Sequence, residues 1–226
     1  MRQHVNPLSS YFQQNRVLPQ YENLFKDYSL PLHLDLGCAR GKFLIELAMQ
    51  NPDLNFLGLE IREKLVEKAL RDKEMLEINN LNFIFCNANV SLEDLFAKLP
   101  DGKLKRISIQ FPDPCFKRRH RKRRLIQPSL IFLIANYLEI GSELFIQSDV
   151  LSVFDPIIYL VKLTNCFYVE REISTIGILS NPYNVSTERE DYAMRKGYPI
   201  FRSLFFRNEN TTPSLSLLEE KYSCLF

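Results

Sequence analysis

The residues best equipped for chemistry stand together in "FPDPCFKRRHRKRR", residues 111–124. Asp113 is a lone carboxylate between Pro112 and Pro114, and proline restricts its own backbone and that of the residue before it. Rigid placement of one carboxylate suits a site better than a solvent loop. Behind it, Lys117 to Arg124 pack seven Lys/Arg and one His into eight positions with no acid. Without those seven, 22 Lys/Arg remain against 27 Asp/Glu, in a chain of formal net charge +2. The remainder is mildly acidic, so positive potential is focused in one place, as a docking site for a polyanion requires. A localisation signal has the same composition, but such signals normally occupy a flexible tail, and this run directly follows an apolar segment.

Three further stretches could hold a small molecule. In "LDLGCARGKF" an acid, Asp35, precedes a tight Gly37 turn and a second glycine, Gly41. Glycine permits such a turn and a close approach of backbone to ligand. The G-x-G-x-x-G fingerprint is absent because Ala39 replaces one glycine. A pyrophosphate therefore fits poorly and a nucleoside with an amino-acid tail fits better, Asp35 serving the ammonium or a loop amide. Glu60, in "GLEI", lies about 20 residues beyond the turn, where Rossmann-like sites place the carboxylate for ribose hydroxyls; an ordinary helix-start acid reads the same way. Asn87, in "FCNAN", offers an amide to an adenine edge or simply forms a turn. Asp149, in "QSDV", ends another strand-like run. Thr187 and Glu190, three apart in "STERE", read from spacing alone as a capping box.

These residues need elements to position them, and the chain supplies an alternation. Strand-like runs at 32–37, 55–60, 81–87, 104–111 and 142–149 are separated by segments of helical periodicity, with further strand-like runs near 166–173 and 199–207. A short helix over "SLEDLFAKL" is expected to start at Ser91 with Asp94 in its capping box. Pro128 suits the first turn of a helix through Leu138, and residues 151–163 form another. The pattern predicts βαβ units: an α/β fold with a mainly parallel sheet of about seven strands covered on both faces. Ligands bind such sheets at the carboxyl ends of the strands. Gly37, Glu60, Asn87 and Asp113 all stand there.

Composition narrows the class. Apolar content of 46% and charged content of 25% are ordinary globular values. Five widely spaced cysteines with no C-x-x-C pair form neither a disulfide framework nor a zinc site. Three histidines with no H-x-x-x-H give metal catalysis no support. The N-terminal stretch lacks the apolar core of a signal peptide, and "LIFLIANYLEI" is too short to span a bilayer. A cytoplasmic protein is expected.

Taken in order, "LDLGCARGKF", "GLEI", "FCNAN", "QFPDPCFKRRHRKRR", "QSDV" and "STERE" with "KGYPIFR" resemble the bacterial tRNA (guanine-N7-)-methyltransferase family over roughly residues 30 to 207. The resemblance implies a class I, Rossmann-like methyltransferase domain over 31–212, which leaves an N-terminal extension over 1–30 and a C-terminal tail over 213–226, whose leucines suggest a docked amphipathic helix. It implies S-adenosyl-L-methionine as cofactor and the variable-loop guanine of tRNA as substrate. By matching positions, Asp35, Gly37, Glu60, Asn87 and Asp113 contact the cofactor. Asp113 is also the catalytic residue, and Lys117, Asp149, Thr187 and Glu190 meet the substrate. The tRNA is gripped by Lys117 to Arg124; no membrane and no obligatory protein partner is implied, and the chain is a monomer or homodimer. Two departures stand out: Cys115 where the family commonly has Trp, and Ala39 in place of a glycine. A methyltransferase for another RNA base, or a non-catalytic tRNA-binding protein, remains an alternative.

Overall fold

In the computed structural model, residues 5–115, 118–169 and 180–224 are described. Five strands run parallel in the order β3 (Leu81–Phe85), β2 (Asn55–Glu60), β1 (Leu32–Leu36), β4 (Leu104–Gln110) and β5 (Glu143–Ser148). β7 (Phe201–Arg207) adds antiparallel to β5, and the two-residue β6 (Phe167–Tyr168) pairs with β7 at the edge. The seven-stranded, mainly parallel α/β sheet is the architecture expected. Its direction of growth reverses between β1 and β4, and that reversal opens the crevice in which such sheets bind ligands.

Alternation along each strand decides what each face carries. Leu32, Leu34 and Leu36 of β1, Leu57 and Leu59 of β2, Ile107 and Ile109 of β4, and Leu144 and Ile146 of β5 form one continuous apolar core. Helices α3 (Ala88–Ala97), α4 (Pro128–Tyr137) and α5 (Leu151–Leu163) contribute side chains to that core. So do Leu18, Tyr21, Leu24 and Phe25 from before β1. Opposite, Phe43, Leu44 and Leu47 of α1 (Lys42–Gln50), with Val66 and Ala69 of α2 (Glu63–Met75), cover only the β1–β2–β3 half. On the β4–β5 half of that face the alternating positions are polar except for the buried Phe145: Arg106, Ser108 and Gln110 of β4, then Glu143 and Gln147 of β5. Burying polar groups is tolerable only with partners, and the partners define the site described below. α6 (Glu188–Arg195) lies beside this polar strip, and α7 (Leu215–Ser223) packs on α4 and α5.

Two expected boundaries are corrected. α3 does not start at Ser91: it starts at Ala88, and the Asn87 side chain caps it by accepting from the Asn89 amide at 3.2 Å. Asn caps as well as Ser does and follows β3 almost directly, so the helix begins one turn earlier. Asp94 pairs instead with Lys98, one turn on, at 2.9 Å. The strand-like run near 166–173 contributes only Phe167–Tyr168 among the described residues, and 170–173 lie outside them.

Candidate cofactor and substrate site

The turn from β1 to α1 is built from left-handed residues. Gly37 has φ of 88°, Ala39 of 51° and Gly41 of 71°. Gly37 is needed for its positive φ and not for space, since a Cβ there would meet only Leu125, at 3.9 Å. At Gly41 a Cβ would also strike the Phe83 ring at 2.4 Å, so α1 sits too close to β3 for any side chain. Ala39 carries a side chain in a conformation that glycine adopts with less strain. The amide nitrogens of Gly37 and Cys38 donate to the Leu59 carbonyl, tying the turn to β2.

Glu60 ends β2 and organises what surrounds it. Its buried carboxylate accepts from the Ala39 amide at 2.9 Å, from the Arg62 amide at 3.0 Å, and from Nε and Nη2 of Arg62 at 2.9 Å each. The loop amide expected for Asp35 thus goes to Glu60. Hydrogen bonding to Glu60 raises the Arg62 pKa against burial, and the Asp113 charge adds to the rise. Arg62 is the first functional side chain that sequence reasoning missed; its only signal was a cation two residues past the strand-end acid. It brings the β2 end and the Asp113 loop into one electrostatic neighbourhood.

Asn87 does not present a free amide to the crevice. Its Nδ2 donates to the carbonyls of Pro7 and Phe12 at 3.2 Å each, and its Oδ1 caps α3. Residues 7–16 cross the end of β3: Tyr11 Oη donates to Glu63 at 2.9 Å, and the Arg16 guanidinium lies 4.3 Å from the centre of the Phe85 ring. The residues before β1 are therefore a wall of the crevice.

Asp35 is different in kind. It is 4% exposed, and its Oδ1 accepts from Ser108 Oγ at 2.6 Å and from Gln110 Nε2 at 3.5 Å. No cation stands among these partners. Burial pushes its carboxyl up to about 6; the two neutral donors offset part of that, and Glu60 adds a like charge.

On the substrate side, Asp113 is exposed between Pro112 and the buried Pro114. Flanking Phe111 and Cys115 both have positive φ, 48° and 40°. The Phe111 amide donates to the Gln147 carbonyl at 2.8 Å, which anchors the departing loop on β5. Cys115 keeps a raised thiol pKa, from burial first and the Asp113 charge second. The basic run continues as a 3-10 turn over Arg118–Arg123, held by Gln127 Nε2 donating to the carbonyls of Arg121 and Arg124. Tyr222 of α7 hydrogen-bonds Arg124, so the tail helix supports the cationic segment. Lys117 lies outside the described residues.

Asp149 is paired with Arg189. Thr187 and Glu190 form the capping box of α6, as their spacing suggested. Glu190 does more than cap. Its buried carboxylate accepts from Arg202 Nη2 at 2.6 Å, and from Gln147 Nε2 and Asn181 Nδ2 at 3.0 Å each. Gln147 also donates to Gln110 at 2.7 Å and accepts from Arg202 Nε at 3.0 Å. A continuous hydrogen-bonded strip thus joins Asp35, Gln110, Gln147, Glu190 and Arg202. Arg202 and the two glutamines were missed because nothing local marks them.

This donor set fits a cationic nucleoside with an amino-acid tail. A buried carboxylate without a cation, a left-handed glycine turn beside it and a second acid at the next strand end supply complementary groups on adjacent strands. Among the described residues no cluster of His, Cys, Asp or Glu could hold a metal ion, and no helix is long and apolar enough to cross a membrane.

A family described as "Putative methyltransferase" matches residues 29–203. A tRNA (guanine-N(7)-)-methyltransferase of Synechococcus sp. (strain WH7803) is 54% identical over 97% of this chain and 92% of its own. The protein of the same name from Prochlorococcus marinus (strain MIT 9313) is 52% identical over 97% and 93%. Among solved structures, an rRNA methylase from Streptococcus thermophilus superposes with a TM-score of 0.50 at 16% identity, covering 84% of this chain and 92% of that one, which supports the fold. With half of its residues shared along nearly its whole length, this chain belongs to the tRNA (guanine-N(7)-)-methyltransferase family.

Proposed function

We propose that this protein methylates N7 of the variable-loop guanine of tRNA, with S-adenosyl-L-methionine as methyl donor, and that Asp113 is its catalytic residue. What carries the reading is the name shared by relatives about half identical over nearly the whole chain. The donor set described above supports it. The cofactor supplies an electrophilic methyl on a sulfonium. Asp35 would hold its ammonium, the Gly37 turn its tail, and Glu60 its ribose. Glu60 reaches that role only if Arg62 yields part of its double hold.

N7 of guanine bears a lone pair and no proton, so the chain needs no general base. Its task is alignment of the guanine and stabilisation of the positive charge that develops on the purine. Asp113, exposed at the β4 end with its backbone fixed by two prolines, can do the second through its field without moving a proton. The cations of 117–124 bind phosphates and carry the guanine to Asp113, which makes affinity fall with salt. N7 faces the narrow major groove of A-form RNA, so the base must be unpaired locally or extruded.

The test is incubation with labelled S-adenosyl-L-methionine and unmodified tRNA transcripts, followed by mild borohydride and aniline, which cleave at N7-methylguanine. Label at a cleavable variable-loop guanine is expected. Label elsewhere discards the regiochemistry, and tRNA binding without label leaves a non-catalytic binder. Asp113→Ala should lose at least about 100-fold in kcat with its melting temperature unchanged; near-wild-type turnover would remove Asp113 from the chemistry.

A further inference from the structure

β1 and β4 place three polar side chains on one face. His33 and Asp35 are two apart on β1, so they point to the same side, and the register sets Ser108 directly opposite Asp35. All three are buried. His33 Nε2 lies 2.9 Å from Ser108 Oγ, and Ser108 Oγ lies 2.6 Å from Asp35 Oδ1. Proton counting gives the direction. An ionised Asp35 has no hydrogen to give, so the single hydroxyl hydrogen of Ser108 must point to it. Ser108 Oγ can then only accept from His33, which places the ring hydrogen on Nε2 and leaves Nδ1 bare. Independently, His33 Nδ1 is a buried atom without a partner. An orphaned buried acceptor costs free energy, and the relay explains why it is tolerated at this atom.

We propose that His33 and Ser108 are positioning residues for the cofactor, a two-member relay that orients the Asp35 carboxylate and favours its ionised form. The proposal rests on the reading of Asp35 as the cofactor's ammonium partner. Neither residue touches the crevice contents; both act through Asp35. His33 remains neutral, its pKa pushed down to about 3 by burial and by the Arg106 cation, so it donates without adding charge. The other titratable groups facing this relay are Glu60 of β2, Cys38 of the glycine turn, and the Tyr183–Glu143 pair behind Arg106. Cys38 and Tyr183 are held in their protonated forms by burial. The one cation in the group, Arg106, faces His33 and is paired with Glu143 at 3.2 Å. Asp35 therefore owes its ionised form to neutral hydrogen bonds, of which Ser108 gives the largest contribution.

The experiment titrates Asp35 by carbon-13 NMR in the ligand-free full chain, and measures S-adenosyl-L-methionine affinity by calorimetry from pH 5 to 8. Ser108→Ala is expected to raise the Asp35 midpoint by about one unit and to shift the pH profile of affinity upward equally. Ser108→Thr, which keeps the hydroxyl on a strand-compatible side chain, should restore both. His33→Phe should shift both in the same direction by less. An unchanged Asp35 midpoint in Ser108→Ala, with the fold intact by melting temperature, overturns the relay. A midpoint that moves in Ser108→Ala while affinity stays flat with pH, together with wild-type affinity at pH 8 in Asp35→Asn, instead overturns the cofactor role of Asp35, and with it the assignment as positioning residues.

Discussion

Two buried carboxylates stand at opposite ends of one hydrogen-bonded strip, and the protein treats them in opposite ways. Glu190 faces Arg202, itself only 7% exposed, at 2.6 Å; its charge is cancelled inside the fold. Asp35 has Ser108 and Gln110, dipoles without charge, and its carboxyl is pushed up to about 6 by burial. A cancelled charge holds elements together: here it locks α6 against β5 and β7. An uncancelled one is a vacancy for a cation brought by a ligand. The contrast separates framework from binding group more sharply than exposure does, since both residues are nearly inaccessible. The partners of Glu190, in the capping box and along the strip, belong to the fold itself.

The strongest way to break the comparison is to remove the charge of Glu190. Glu190→Gln leaves the Arg202 guanidinium buried without its counter-ion, a loss of about 3–5 kcal/mol. Adding Arg202→Met removes that buried charge and should recover most of the loss. Chemical denaturation of the two variants checks it. A single variant as stable as wild type would show that Glu190 is not the structural partner its contacts make it.

Asp35→Asn should do the reverse. Raising a carboxyl from 3.8 to about 6 means that the unfolded state loses its proton first. Stability from this group is complete below about pH 4, fades as pH rises to about 6, and stays absent above, a penalty of roughly 3 kcal/mol at neutral pH. Asparagine keeps an oxygen for Ser108 and removes the penalty. The ligand-free variant should therefore melt higher than wild type at pH 8, equal it near pH 4, and bind S-adenosyl-L-methionine weakly at both. A variant less stable at pH 8 would mean that the carboxylate is compensated after all.

Much of this frame was legible beforehand. Strand limits at 55–60 and the helix at 151–163 fall where periodicity put them, because each is bounded by a clean change of period. Gly37, Glu60 and Asp113 were legible because strand ends announce themselves by turn residues. The strip was not. Ser108 and Asp35 are 73 residues apart, and Gln147 and Arg202 are 55 apart. Only the register of β1 on β4 and of β5 on β7 brings such pairs together, and register is a property of the assembled sheet. The use of Pro7 and Phe12 carbonyls by Asn87 escaped for the same reason, its partners being chosen in space, whereas the early start of α3 is local, Asn87 capping in place of Ser91.

Asp149 sharpens the comparison at its weak end. It ends β5 on the ligand side, like Asp35 on β1, yet it already has a cation in Arg189. That side chain is 30% exposed and stacks over the Tyr192 ring at 5.0 Å, so solvent shares in stabilising the cation, while the Asp149 side chain is only 5% exposed. Arg189→Gln should lose less than Glu190→Gln, about 1–3 kcal/mol, with a destabilisation that shrinks as salt rises and screens the exposed side of the pair. If Asp149 meets the substrate, releasing it from Arg189 should change the KM for tRNA while cofactor affinity stays constant. A loss as large as that of Glu190→Gln would place Asp149 with the framework carboxylates, and a shift in cofactor affinity would place it with Asp35. The graded series of neutral donors, half-exposed cation and buried cation then orders Asp35, Asp149 and Glu190 by how much of their charge the fold leaves for a ligand.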